Sequence, residues 1–188
     1  MKIMYLKKRD WELLTHTLIN VVMLLTASII MQGADSAETS ERLQIPDGQT
    51  FLLSAQGVGY QIYTSKPKDG STTEFVWGLP PTPQATLHDN SGKKIGKHYA
   101  GPTWESTDGS KVIGQLPPKS VPAPKAGDIP WLLIEAKSHE GEGVFSKVSY
   151  ILRVDTVGGI APTHAPTRKG QEARVKYQAT YIFLAPKQ

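Results

Sequence analysis

Downstream of residue 50, apolar and polar side chains trade places in short bursts, and glycine or proline ends almost every one. Phe51-Leu52-Leu53-Ser54-Ala55 predicts a short apolar strand. In Tyr60-Gln61-Ile62-Tyr63-Thr64 the faces alternate, with Tyr60, Ile62 and Thr64 opposite Gln61 and Tyr63. Glu74 to Trp77, Ala85 to Asp89 and Lys94 to Tyr99 read the same way, the last two joined at an Asn90-Ser91-Gly92 turn. Pro80, Pro81 and Pro83 argue against a central strand around them, because proline cannot donate to a ladder. Ser110 to Leu116 is another strand. Pro117 to Gly127, with four prolines, reads as an extended surface connection.

Ile129 to Ala136 is the most apolar run of the body and has the length of a strand buried on both faces. Val144 to Thr156 predicts one long strand, and Gly158 to Gly170 a loop. From Arg174 to Phe183 the period is two, with Val175, Tyr177, Ala179 and Tyr181 on one face against Lys176, Gln178 and Thr180. No window past residue 37 carries a helical stripe. About nine or ten short strands joined by turns predict a single all-β domain, an antiparallel β-sandwich or barrel, over residues 37–188.

The first 36 residues differ in kind. Lys2, Lys7, Lys8 and Arg9 precede a largely apolar run from Leu18 to Met31, shorter than the roughly 20 residues a helix needs to cross a bilayer. Ala34 and Ser36 then place small residues where a signal peptidase cuts. Residues 1–36 are expected to be a signal peptide cleaved after Ser36, giving a secreted or periplasmic protein. The alternative is an uncleaved N-terminal anchor, the chain's one expected link to a membrane.

Composition narrows the chemistry. Cysteine is absent, which removes thiol catalysis, thiolate metal sites and disulfides together. A net charge of +4 from scattered basic residues is no nucleic-acid footprint. His88, His98, His139 and His164 show no short metal-clip spacing, so neither a metal site nor a cofactor is expected. The densest run of unusual residues is His98 to Ser110, where Gly101-Pro102 and Asp108-Gly109 reverse the chain. These corners are expected to gather rings and acids at one mouth. His98, Tyr99, Trp104, Glu105 and Trp131 are the candidate ligand-binding residues, for a glycan or small molecule in a shallow cleft. Were the protein an enzyme, Glu105, Asp108 and Glu135 are the acids embedded among aromatics that a glycosidase-type hydrolase would use as acid and base or nucleophile. Asp108 also has a structural reading, as the first corner of an Asp-Gly turn. A non-catalytic binding or structural module is the favoured reading, with the hydrolase as its rival.

Five phrases, Gly59-Tyr60-Gln61-Ile62-Tyr63, His98 to Glu105, Asp108-Gly109-Ser110, Ile129 to Leu133 and Thr156 to Pro162, together resemble one family. It comprises secreted bacterial and fungal proteins catalogued as a domain of unknown function, and some fungal members carry the label malate dehydrogenase. The resemblance runs from about residue 43 to 184 and implies export and a single domain. It also implies a cysteine pair in relatives where this chain has Ser65 and Thr163-His164-Ala165, so the strand ends near Ser65 and Ala165 are expected side by side. The dehydrogenase label finds no support in the residues. Gly57-Val58-Gly59 has Ile62 where a dinucleotide fingerprint needs its third glycine, and a strand follows where a helix should.

Overall fold

A computed structural model describes residues 43–188; the expected signal segment and its cleavage point lie outside the described residues. The described residues form ten strands: β1 (Gln49–Pro67), β2 (Phe75–Trp77), β3 (Thr82–His88), β4 (Lys94–Tyr99), β5 (Thr103–Ser106), β6 (Lys111–Gly114), β7 (Lys119–Val121), β8 (Trp131–Glu140), β9 (Tyr150–Gly158) and β10 (Glu172–Pro186). Every pairing is antiparallel. Followed from neighbour to neighbour, the ladder runs β1–β3–β4–β5–β6–β8–β9–β10 and returns to β1. This is a closed eight-stranded barrel, with β2 extending the end of β1 and β7 laid against the start of β8. The all-β expectation stands, and of the two architectures it left open the barrel is the one formed.

The closing seam is the pairing of β1 with β10, from Gln49 opposite Pro186 to Thr64 opposite Glu172. Along β1 the odd positions Ala55, Gln61, Tyr63 and Ser65 are buried, and along β10 so are Tyr177, Ala179, Tyr181 and Phe183. Eight strands enclose a space that side chains can fill. Trp104, Tyr177, Tyr181, Phe145 and Phe183 fill most of it. Trp104 meets Tyr181 edge-on at 5.7 Å, and Phe145 stacks on Phe183 at 4.6 Å. Gly57 is required by this crowding: a Cβ there would stand 2.5 Å from the Tyr181 ring.

Several local expectations are corrected. Phe51 to Ala55 and Tyr60 to Thr64 belong to one 19-residue strand, because Gly57 and Gly59 are close-packing positions and do not end it. Pro83 sits inside β3, opposite Gln61. Within the proline-rich connection, Lys119–Val121 pairs with β8 as β7. β8 is buried on both faces only at Leu133 and Ile134, and its second half is exposed. The predicted strand from Val144 to Thr156 begins instead with a 3-10 turn, Val144–Lys147, and only Tyr150–Gly158 is extended.

That 3-10 turn has a specific holder. Asp108 accepts hydrogen bonds from the Ser110 hydroxyl (2.6 Å), the Ser110 N–H (2.9 Å) and the Val144 N–H (2.9 Å). The Ser110 hydroxyl in turn accepts from the Phe145 N–H at 3.0 Å. Gly143, at φ 147°, lies so close that a Cβ there would collide with the Asp108 carboxylate. The Asp-Gly-Ser corner thus pins the segment that carries Phe145 into the core. A second anchor lies at Ser65, whose hydroxyl donates to the Arg168 carbonyl (2.5 Å) and accepts from the Gln171 N–H (2.9 Å). Trp77, the strand partner of Ser65, donates to the His164 carbonyl at 3.0 Å. The loop that contains Ala165 therefore runs across the end of β1 where Ser65 sits.

Ser110 is fully buried, so Ser110→Ala leaves the Phe145 N–H without an acceptor. The expected cost is about 1–3 kcal/mol of folding stability, read as a lower urea midpoint at an unchanged slope. A change below about 0.5 kcal/mol would show that this staple is incidental.

Candidate functional site

At one end of the barrel the interior is hollow. A cavity of about 1030 Å³ lies there, and its wall is overwhelmingly apolar. Two Leu-Pro-Pro copies border it, Leu79-Pro80-Pro81 between β2 and β3 and Leu116-Pro117-Pro118 between β6 and β7. Ile160, after β9, is a third rim residue. All three large side chains are exposed: Leu79 74%, Leu116 49% and Ile160 45%. Small residues, Ala100, Gly101, Ser120 and Ala161, occur in the same wall, which leaves the space open. Proline rings have no rotamers to collapse inward, so the hollow is pre-formed.

The polar groups in the lining are few. Gln61 and Trp104, 2% and 1% exposed, each keep a buried side-chain N–H with no partner among the described residues. His98 stacks flat on Trp104, with ring centres 4.2 Å apart, and meets Tyr181 edge-on at 5.3 Å. Its Nδ1 lies 2.9 Å from the Thr103 carbonyl, which can only accept, so the proton is on Nδ1 and Nε2 carries the lone pair. Burial pushes the imidazole down to about 3, so it is neutral at physiological pH. Tyr63 donates to the Gly159 carbonyl at 2.6 Å, and burial raises its phenol above the usual range. Burial likewise raises Tyr181.

Arg153, on β9, is the charged member of the lining. Its strand neighbours are Tyr181 on β10 and Leu132 on β8, and its Nε and Nη2 donate to the Pro130 carbonyl at 3.3 and 2.9 Å. No carboxylate of the described residues lines the cavity, and Arg153 belongs to none of their ion pairs, which are Lys68–Glu74, Lys97–Glu105 and Lys111–Glu140.

The structure distributes the sequence candidates over several places. His98 and Trp104 line the cavity. Tyr99 and Glu105 are their immediate neighbours in β4 and β5, and the pleat therefore sends them to the outer face. There the Tyr99 hydroxyl donates to Glu105 at 2.7 Å, and Lys97 pairs with the same carboxylate at 3.2 Å. The Tyr99 hydrogen bond holds Glu105 below the usual carboxylate range, with Lys97 adding to it, which suits a structural anion better than a proton donor. Trp131 opens β8 outside the lining. Asp108 lies at the far end of β5 from Gly101-Pro102, engaged in its turn, and Glu135 is exposed on β8, two strands away from Glu105. The two corners of the 98–110 stretch thus face opposite ends of a strand, and the three acids do not converge.

A family model described as protein of unknown function (DUF3455) matches residues 46–185. The chain belongs to that family. Neither a curated protein nor a solved structure matches it. Within this family member the site residues that sequence reasoning missed are Gln61, Tyr181, Arg153 and the two Leu-Pro-Pro rims. The repeated Leu-Pro-Pro was a usable signal, because each copy leaves a large apolar side chain ahead of a stiff corner.

Because His98 is neutral when folded and titrates near 6.5 when unfolded, the unfolded chain binds more protons between about pH 6.5 and 3. Stability is therefore lost as pH falls through that window. Between pH 7 and 5 His98 accounts for about 2 kcal/mol of loss. His98→Phe, which keeps the stack on Trp104, should flatten that part of the profile in urea titrations. An equally steep profile in the variant would assign the acid sensitivity elsewhere.

Proposed function

We propose that this chain is an exported, non-catalytic binding protein that holds one small, largely apolar molecule in the mouth of its barrel. One observation carries the reading: a pre-formed hollow of about 1030 Å³ whose wall is made mostly of proline and aliphatic side chains. Pockets of this kind bury most of a small ligand, and a few polar groups orient it. A glycan fits less well, because its many hydroxyls need more partners than this wall supplies. Hydrolysis by paired carboxylates draws no support from the placement of Glu105, Asp108 and Glu135 outside the lining. Export to the periplasm or the medium is part of the proposal and rests on the first 36 residues alone.

The uncharged dye Nile red should bind the full chain saturably, one molecule per chain, with a blue-shifted emission. Ala161→Trp, which places an indole in the wall, should weaken that binding roughly tenfold without lowering the melting temperature. Dye uptake that never saturates, or that ignores the new indole, would overturn the reading.

A further inference from the structure

Arg153 has no obvious reason to be where it is. Arg153 is half-buried in the lining, and a cationic group held against an apolar wall is costly unless something balances its charge. A single carbonyl, that of Pro130, engages two of its N–H groups. Its field reaches Tyr63, His98, Tyr177 and Tyr181, all of which it pulls toward lower pKa, so the charge sits among the inward rings. His98 is neutral and cannot share the charge, and no carboxylate of the lining offsets it.

Two buried side chains of the lining are likewise donors. Gln61 and Trp104 each hold a buried N–H that no described residue accepts, and a buried unmatched donor is destabilising on its own. Arg153 thus has the Pro130 carbonyl for two of its N–H groups, and the Gln61 and Trp104 donors have no acceptor among the described residues. Around them the wall is hydrocarbon: Leu132, Ile134, Ile129, and the prolines with the exposed Leu79 and Leu116 at the rim. Such a surface suits a molecule with one anionic, acceptor-rich end and an apolar body.

The geometry points to an amphipathic carboxylic acid as the ligand class, its carboxylate on the Arg153 guanidinium and its hydrocarbon along the proline-lined wall. This rests on the binding reading above and adds the ligand's charge to it. A planar carboxylate matches the guanidinium fork bidentately, and desolvation within the cavity strengthens that pair.

The test is displacement of Nile red from the full chain by three molecules of equal chain length: dodecanoate, methyl dodecanoate and dodecylammonium. Dodecanoate should displace the dye at a concentration about tenfold or more below that of the ester, and dodecylammonium should be the weakest. Arg153→Met should bring acid and ester together, and Arg153→Lys should retain part of the difference. Equal displacement by acid and ester in the unsubstituted chain overturns the inference, and this arm needs no variant to fold. So does a preference for the acid that survives in a folded Arg153→Met. If Nile red binds saturably but none of the three competes, the ligand class is wrong and the cavity reading stands. If Nile red itself does not bind, both fall.

Discussion

Closure of the ring between the first and last strands is the constraint on which the rest depends. β1 and β10 pair along nearly their full lengths, and that seam turns an open sheet with two edges into a barrel with none. Once the ring is shut, its diameter is fixed by the strand count, and inward side chains must fill the space or leave it empty. Both happen here. Toward one end Phe145 and Phe183 pack the interior. Toward the other, the strands give way to proline corners and small residues, and the interior stays open.

The two ends have separate supports. The packed end relies on Asp108 and Ser110, which hold the 3-10 turn of Phe145 in place. The open end relies on stiffness, since prolines on four connections resist the collapse that would otherwise bury Leu79 and Leu116. His98 and Trp104 stand between the two. Their flat stack forms part of the cavity wall and at the same time contacts Tyr181 in the core, so occupancy of the hollow and stability of the barrel share residues.

Much of this was legible in the chain. The period-two face of β10 is the inward face, and the absence of helical stripes holds over the described residues apart from one 3-10 turn. The glycine and proline punctuation overcounted breaks, because Gly57 and Gly59 serve close packing within a continuous strand. Arg153 was not legible for a physical reason. In Tyr150-Ile151-Leu152-Arg153-Val154, alternation suggests that Leu152 and Val154 face the core and Arg153 faces water. The barrel inverts this: Leu152 is buried in a second apolar cluster with Leu133 and Leu184, packed with Leu43 and Val154, while Ile151 and Arg153 face inward. With apolar residues on both faces of β8, β9 and β10, pattern alone does not fix which face closes on the core. For His98 to Glu105 the same pleat separated residues that looked like a group, sending His98 and Trp104 inside and Tyr99 and Glu105 outside.

A ligand that enters the hollow comes to rest against Trp104, and the indole N–H resonances report on that directly. Trp104 keeps an unpartnered indole N–H in the lining, Trp77 donates its own to the His164 carbonyl, and Trp131 lies outside the cavity. On titration with dodecanoate followed by nitrogen–proton correlation spectra, the assigned Trp104 signal should move and saturate while those of Trp77 and Trp131 hold still. A saturable shift confined to Trp77 or Trp131, with Trp104 unmoved, would contradict the claim.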